Sequence, residues 1–319
     1  MATGGNKKIQ TIKSAKGDLS WINIIDAKKT EIDYLKSKYK FTELDLRDSF
    51  SDAYAQRPKF YVRDTYSFLI LQFPLYDRKN KVIMAEEVDF FLGPDYLITV
   101  HKNNLSPLVE LFNLCLSDKF YRDQYMSENN GQLLYEIIIR LQEYCYPILD
   151  HVSLDTQNIE NNIFANMERQ MIYEILRVKR NIFNTKRILE AHKDAIQKII
   201  REKNGTLEME PRKLKIYYSN LVEHTKNLWD LLQGQKDLIE SLENTNNTIF
   251  STKLNEMMKT LTIFSVMFVP LTFIVSIFGM SLTGSMPMTS SPYGFWIVLD
   301  VILCLGLVMF LFFKKRKWL

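Results

Sequence analysis

Six residues in one apolar segment have side chains that can meet an ion or another helix. Asn255, Met258, Thr262, Ser265, Thr272 and Ser276 recur at spacings of three, four and seven, in a stretch otherwise dominated by Leu, Ile, Phe and Val. On a helix they share one stripe. Amide and hydroxyl groups are out of place against hydrocarbon, so such a stripe faces other helices or water. Two chemistries fit. One is hydrogen-bonded glue between helices. The other is the lining of a wet pore in a symmetric ring.

The elements that position this stripe are legible in the charge pattern. From Thr260 to Leu299 there is no Asp, Glu, Lys or Arg. Thr260–Met280 has the length a spanning helix needs, about 20 apolar residues. Pro270 interrupts it, which a membrane helix tolerates when neighbours satisfy the freed carbonyl, and Gly279 marks its end. Ser281–Ser291 is a short polar link with Gly284 and Pro287, and Tyr293–Phe313 is a second span. Tyr293, Phe295 and Trp296 mark one interface of that span and Trp318 the other. The cluster Lys314, Lys315, Arg316 and Lys317, with Lys259 before the first span, favours the cytoplasmic side for both ends. The link then faces outward. Asp300 lies about two turns into the second span. An acid there either snorkels or bonds a neighbouring hydroxyl, or it serves proton coupling or cation attraction.

The rest of the chain reads as water-soluble. It has 319 residues, enough for roughly two domains, with 41 Lys and Arg against 37 Asp and Glu. A net charge of +4 is too small and too evenly spread for a nucleic-acid binder. Cys115, Cys145 and Cys304 form no C-x-x-C pair, which argues for reduced thiols and against a disulfide framework or zinc site. Met1–Gln10 lacks an apolar signal core, so the soluble body is expected in the cytosol. His101, His151, His192 and His224 show no metal-ligand spacing and read as core or surface residues. No glycine-rich phosphate loop and no nucleophile–base pair appears, so the chain does not read as an enzyme.

Within the body, Phe60–Leu75, Val82–Leu92 and Tyr96–His101 are rich in Phe, Tyr, Val and Ile and read as strands. Asp77–Lys81 reads as a hairpin loop and Ser106–Ser117 as a short helix. Gln132 to Glu202 looks like a helical hairpin. Its second half carries Arg177, Lys179, Arg180, Lys186, Arg187, Lys193, Lys198 and Arg201, most simply a solvated face. Lys203–Thr206 reads as a turn, and Pro211 as a first-turn proline. Beyond it Leu214, Tyr218, Leu221, Leu228, Leu232, Ile239, Leu242 and Ile249 form a roughly heptad stripe. Gly234 weakens that helix by about 1 kcal/mol without stopping it. A helix continuous from Lys213 to Met280 would be on the order of 100 Å long. Such a rod cannot bury itself, and a self-associating bundle leading into the bilayer is the expected solution.

The segment Asn255-Glu256-Met257-Met258-Lys259-Thr260-Leu261-Thr262, the runs Pro270–Ile274 and Phe278-Gly279-Met280, and the basic ending Lys314–Leu319 resemble the CorA magnesium-transporter family. Weaker likeness reaches Phe90-Phe91-Leu92-Gly93 and Tyr96–His101. The resemblance implies an α+β membrane protein that assembles as a homopentamer. Residues 1–130 would be a cytosolic α/β domain, 131–210 a helical hairpin, 211–259 a stalk helix, 260–313 a two-helix transmembrane domain, and 314–319 a basic cytosolic ending. It places Asn255, Met258, Thr262, Thr272 and Ser276 on the pore, and Gly279-Met280-Ser281 where the family has its outer Gly-Met-Asn ring. It implies Mg²⁺ as transported and regulatory ion, with Co²⁺ or Ni²⁺ as further cargo. The partners would be lipid and other copies of the chain, without nucleic acid.

Three departures from the family pattern bear on function. Ser281 keeps a hydroxyl acceptor but has less reach than asparagine toward a hydrated ion. The loop Ser281–Tyr293 has no acid to concentrate cations. The internal regulatory metal site implied by the resemblance pairs Asp77 with an acid on the stalk. Asn220 stands at that second position, with Glu223 one turn on. The alternatives are a relative with altered selectivity, such as a proton-linked Zn²⁺ transporter that uses Asp300, or a non-conducting membrane-anchored scaffold.

Overall fold

The computed structural model describes residues 8–15, 17–50, 58–165, 167–201, 206–279 and 293–316, with residues 278 and 279 described by backbone alone. The chain divides into two compact units, Met1–Glu243 and Asn244–Leu319.

The first unit is organised on one sheet. Its elements run β1 (Ile9–Lys13), β2 (Ser20–Ile25), α1 (Lys29–Tyr39), α2 (Glu43–Ser49), β3 (Lys59–Val62), β4 (Ser67–Asp77), β5 (Val82–Gly93) and β6 (Tyr96–His101). The strand order is β1-β2-β6-β5-β4-β3. Only β2 and β6 pair in parallel, which obliges the chain to cross over between them through α1, α2 and three strands. β4 reads Ser-Phe-Leu-Ile-Leu-Gln-Phe, with no polar alternation, because both sheet faces are covered. On one face Ile22, Ile24, Phe68, Ile70, Phe91 and Ile98 pack with Leu35 of α1 and Leu46 of α2. On the other, Trp21 meets Phe112 edge-on at 5.0 Å, and Phe73 meets His192 at 5.0 Å.

The sequence pattern reads Phe60–Leu75 as one extended run. The structure breaks it at Arg63–Tyr66, where the Arg63 amide bonds the Tyr66 carbonyl at 2.8 Å. The physical reason is a buried carboxylate. Asp45 is fully buried and takes Arg63 Nη2 at 2.6 Å, Arg63 Nε at 2.9 Å and the Tyr66 hydroxyl at 2.6 Å. Burial pushes the Asp45 pKa up. The hydrogen bonds from Arg63, Tyr66 and Thr42 outweigh that and hold it below the usual carboxylate range. A turn between β3 and β4 is what lets both donors reach it.

The helical segments follow: α3 (Ser106–Ser117), α4 (Lys119–Tyr125), α5 (Asn130–Glu143), α6 (Cys145–Phe164), α7 (Glu168–Glu190) and α8 (His192–Arg201). The expected hairpin over Gln132–Glu202 is therefore two arms, each made of two helices. Asn181 of α7 fixes this layer to the sheet. Its Nδ2 donates to the Lys81 carbonyl at 2.9 Å and its Oδ1 accepts the Ile83 amide at 3.0 Å.

α9 (Pro211–Gly279) is one helix of 69 residues. Tyr218, Leu221, Leu228, Leu232, Ile239 and Leu242 of its heptad stripe are buried, while Leu214 and Ile249 are half-buried. The Tyr218 hydroxyl donates to the Gly131 carbonyl at 2.9 Å, and Gln142 Nε2 to Thr225 Oγ1 at 2.9 Å. This corrects the expectation that the stripe awaits other copies. Between Tyr218 and Leu242 it is covered within the chain, with α5 bonding directly to it. The second unit contains the end of α9 and α10 (Gly294–Lys315).

Two buried histidines set an acid limit on the first unit. His101 Nδ1 accepts the Asn103 amide at 3.0 Å, so Nε2–H donates to Asn23 Oδ1 at 2.8 Å and the ring is neutral. Burial lowers the pKa of His101 to about 4 and that of His192 to about 4. The unfolded chain, with histidine near 6.5, takes up protons first. Stability is therefore full above about pH 6.5 and falls toward pH 4, by up to about 3 kcal/mol per histidine. Thermal unfolding followed by tryptophan fluorescence between these pH values checks this. His192→Phe should flatten the slope, and an unchanged slope would contradict the assignment.

Candidate functional site

α9 keeps its helical register through the polar stripe and past Pro270. Residues 255, 258, 262, 265, 269, 272 and 276 then fall within an arc of about 100°. Asn255, Met258, Thr262, Ser265, Thr272 and Ser276 are all exposed in the single chain. Val269 is the one apolar residue in that series that the sequence reading passed over.

The hydroxyl geometry decides what this face can bind. Thr262 Oγ1 donates to the Met258 carbonyl at 2.8 Å, and Ser265 Oγ to Leu261 at 2.9 Å. Thr272 Oγ1 donates to Phe268 at 2.8 Å, and Ser276 Oγ to Thr272 at 2.8 Å. A hydroxyl has one proton and two lone pairs. With each proton spent on the carbonyl one turn back, what the face offers outward is acceptor lone pairs. A hydrated divalent cation presents only water hydrogens to its surroundings, and Mg²⁺ releases those waters reluctantly. The four hydroxyls therefore suit the outer shell of a hydrated cation, and Asn255 is the one member of the stripe that also carries donors.

The flanks of the same helix are apolar and bare. Leu261, Phe264, Phe268 and Phe273 are each more than half exposed. A soluble monomer does not leave so large an apolar surface uncovered. α9 beyond Lys259 and α10 are both long and apolar enough to cross a bilayer. The two meet closely at Gly306, where an added Cβ would stand 3.8 Å from Leu271 Cδ1. Asp300 is exposed on α10 and makes no hydrogen bond or ion pair among the described residues. Lys314, Lys315 and Arg316 are exposed at its end, Arg316 lying over the Phe312 ring at 5.9 Å. Gly279 is the last residue of α9. Met280, Ser281 and Lys317 fall outside the described residues.

Asp77 closes β4 and is committed to its own turn. Its carboxylate accepts the Lys79 amide at 2.9 Å, the Asn80 amide at 3.2 Å and Asn80 Nδ2 at 2.6 Å. The Asn80 side chain and those amides hold its pKa below the usual range, so it stays charged. Asn220 and Glu223 are exposed on α9, and Asn220 Oδ1 lies 3.5 Å from the Tyr135 hydroxyl. No bond joins Asp77 to either residue within the chain, among the described residues. No three His, Cys, Asp or Glu side chains converge to hold a metal, again among the described residues.

The polar spacing also continues upstream. Asn244, Thr248 and Ser251 are exposed in the second unit. In the first unit Asn220, Glu223, Asn227, Asp230, Gly234, Asp237 and Ser241 are exposed at the same spacing of three and four. None of these residues is basic. The signal was present in the sequence, but the apolar stripe on the opposite side of α9 is the stronger pattern and drew the reading to itself.

The family model for CorA-like Mg²⁺ transporter proteins matches residues 16–315. A metal ion transporter of Bacillus subtilis, YfjQ, is 24% identical over 299 residues, covering 93% of this chain and 89% of its own. The cobalt/magnesium transport protein CorA of Thermotoga maritima is 24% identical over 304 residues, covering 94% of this chain and 83% of its own. Among solved structures, the complete CorA magnesium transporter of Methanocaldococcus jannaschii aligns with a TM-score of 0.81 at 19% identity, over 100% of this chain and 98% of that one.

Proposed function

The chain belongs to the CorA family of divalent metal ion transporters, and on that premise we propose that it is a homopentameric channel or transporter for Mg²⁺. The family moves ions and is not enzymatic. Co²⁺ or Ni²⁺ are competing cargoes on this reading, and the relatives from T. maritima and M. jannaschii are named for cobalt and magnesium. The observation that carries the proposal is the face of α9 with its hydroxyl protons turned inward and its lone pairs outward. Five copies around an axis would give a path lined by Asn255, Met258, Thr262, Thr272 and Ser276. Gly279-Met280-Ser281 would form the outer ring, and Lys314, Lys315, Arg316 and Lys317 a basic ring at the inner face.

On this reading residues 1–130, 131–210 and 211–259 are the cytosolic α/β domain, hairpin and stalk. Residues 260–313 are the transmembrane pair in the cell (inner or plasma) membrane, and residues 314–319 and the N-terminus lie in the cytosol. The partners are lipid, divalent cations and other copies of the chain, not nucleic acid. Purified protein in proteoliposomes should take up Mg²⁺ down its gradient. The absence of uptake of any divalent ion would leave only a scaffold role. Thr272→Val keeps shape but removes the acceptor, and should lower uptake by up to about tenfold. Unchanged uptake would remove Thr272 from the path.

For regulation, we propose an interface site in which Asp77 of one subunit faces Asn220 and Glu223 of the next. A neutral Asn220 weakens ion binding there, and Asp77 already spends acceptor capacity on its own turn. Asn220→Asp should make uptake more sensitive to internal Mg²⁺, read as a lower half-inhibiting concentration. No shift would detach Asp77 from that role.

A second reading, proton-linked Zn²⁺ movement, is favoured by one observation: Asp300 is exposed on a membrane helix without a partner among the described residues. An acid so placed is a default functional candidate. Zn²⁺ and Mg²⁺ uptake measured across pH separates the readings. Asp300→Asn should abolish a proton dependence if one exists, and an identical pH profile in the variant would end this alternative.

A further inference from the structure

The basic run of α7 is not the evenly solvated face that its composition implies. Arg177 is bound to Asp155 at 2.8 Å and Glu174 at 2.6 Å, and Lys179 to Glu243 at 2.6 Å. Lys186 stands 4.5 Å above the Trp229 ring and donates to Gln233 Oε1 at 2.7 Å. Arg180 and Arg187 have no ion pair among the described residues and are exposed. They are seven residues apart, about 10 Å along the helix. Phe183 projects between them, 65% exposed.

These side chains edge a groove of about 540 Å³ between α7 and α9, floored by Ile182 and Ile239. Its lining carries five cations, Lys179, Arg180, Lys186, Arg187 and Lys236, with two carboxylates, Glu190 and Glu240. Lys179 is paired with Glu243 and Lys236 with Glu240 at 3.3 Å, which leaves Arg180 and Arg187 without an ion pair among the described residues. The volume lies in the range of small-molecule sites, about 300–1,000 Å³. The chemistry is of two kinds side by side. Exposed Phe183 offers a flat face on which a planar ring can stack, while the Trp229 ring is covered by the Lys186 ammonium. Guanidinium forks left without carboxylates match phosphate oxygens two at a time. An inorganic anion would use the arginines and waste the exposed face of Phe183. A neutral apolar ligand would leave the charge excess unanswered.

We propose that this groove is a binding site for a nucleoside polyphosphate, with the base on the Phe183 side and the phosphates between Arg180 and Arg187. The site belongs wholly to the first unit and does not depend on which ion the membrane helices pass. It supplies the soluble body with a ligand whose phosphates also complex divalent cations.

The test is calorimetric titration of the full-length protein in detergent, without divalent ions, using ATP and, separately, inorganic tripolyphosphate. ATP should bind saturably. Arg180→Glu and Arg187→Glu should each weaken it by about tenfold or more, the value of one charge-assisted contact. Phe183→Ala should weaken ATP about fivefold and leave tripolyphosphate unchanged. Arg201→Glu, at the end of α8 and away from the groove, controls for net charge and should leave ATP binding as it was. Absence of ATP binding would overturn the proposal, as would binding that survives both arginine reversals. Equal affinity for ATP and tripolyphosphate, insensitive to Phe183→Ala, would overturn the nucleoside part of the assignment and with it the proposal. Retained thermal unfolding in each variant shows that a loss is not misfolding.

Discussion

A hydroxyl on a membrane helix has one proton to place and little water to receive it. That constraint governs α9. Thr262, Ser265, Thr272 and Ser276 all place it on the carbonyl four residues back, at 2.8 to 2.9 Å. The helix can then carry four hydroxyls in an apolar stretch without an unsatisfied donor, which in hydrocarbon would cost several kcal/mol. The same bonds fix the sign of what the face attracts. Glue between helices needs donors as well as acceptors, and here the hydroxyl donors are already spent, with Asn255 alone in the stripe retaining amide donors. A wall of lone pairs is a poor adhesive and a good surface for the waters of a cation.

The soluble unit solves a related problem by a different route. It buries many polar groups, and most of the central ones bond to the chain in ways that fix the order of its layers. Asp45 holds Arg63 and Tyr66 and so places the β3–β4 turn beneath α2. Asn181 takes the Lys81 carbonyl and the Ile83 amide at the start of β5 and so places α7 on the sheet. Tyr218 and Gln142 lock α9 to α5 at Gly131 and Thr225. Each is a long-range polar bond in a dry setting, where losing one partner costs more than the bond itself contributes. The consequence for α9 is directional. Its apolar stripe is held inward, so only its polar face remains for other copies or for solvent.

What the sequence made legible follows from the range of the forces involved. The two membrane helices, the end at Gly279 and the polar stripe depend on local periodicity and charge exclusion, and they were readable. Helix α3 and the strands β5 and β6 were readable for the same reason. The Arg63–Tyr66 turn was not, because its cause is Asp45, far along the chain and unremarkable in sequence. The burial of Tyr218 to Leu242 was misassigned because a heptad stripe says that a face will be covered and not by what. The groove beside α7 was invisible for the complementary reason. Eight basic residues look alike in a sequence, and only the structure separates Arg177 and Lys179, held by Asp155, Glu174 and Glu243, from Arg180 and Arg187, which edge the groove without an ion pair among the described residues.

On the proposed reading the path has a consequence for energetics. The outer loop Ser281–Tyr293 has no acid, and the lining from Asn255 to Ser276 is neutral. Nothing fixed in those segments would bind a divalent ion tightly. An interior-negative potential acts on the ion directly, by about 2.3 kcal/mol per charge per 100 mV and so about twice that for Mg²⁺. That is of the order of the whole selectivity one ring of neutral acceptors can supply. A path of weak, repeated acceptors then has an advantage over a strong site, because an ion that enters must also leave. On the same reading, Ser281 in place of asparagine at an outer ring would move the chain further in that direction. It would shift the burden of recognition from the entrance to the hydroxyls of Thr272 and Thr262, whose donors the helix has already taken.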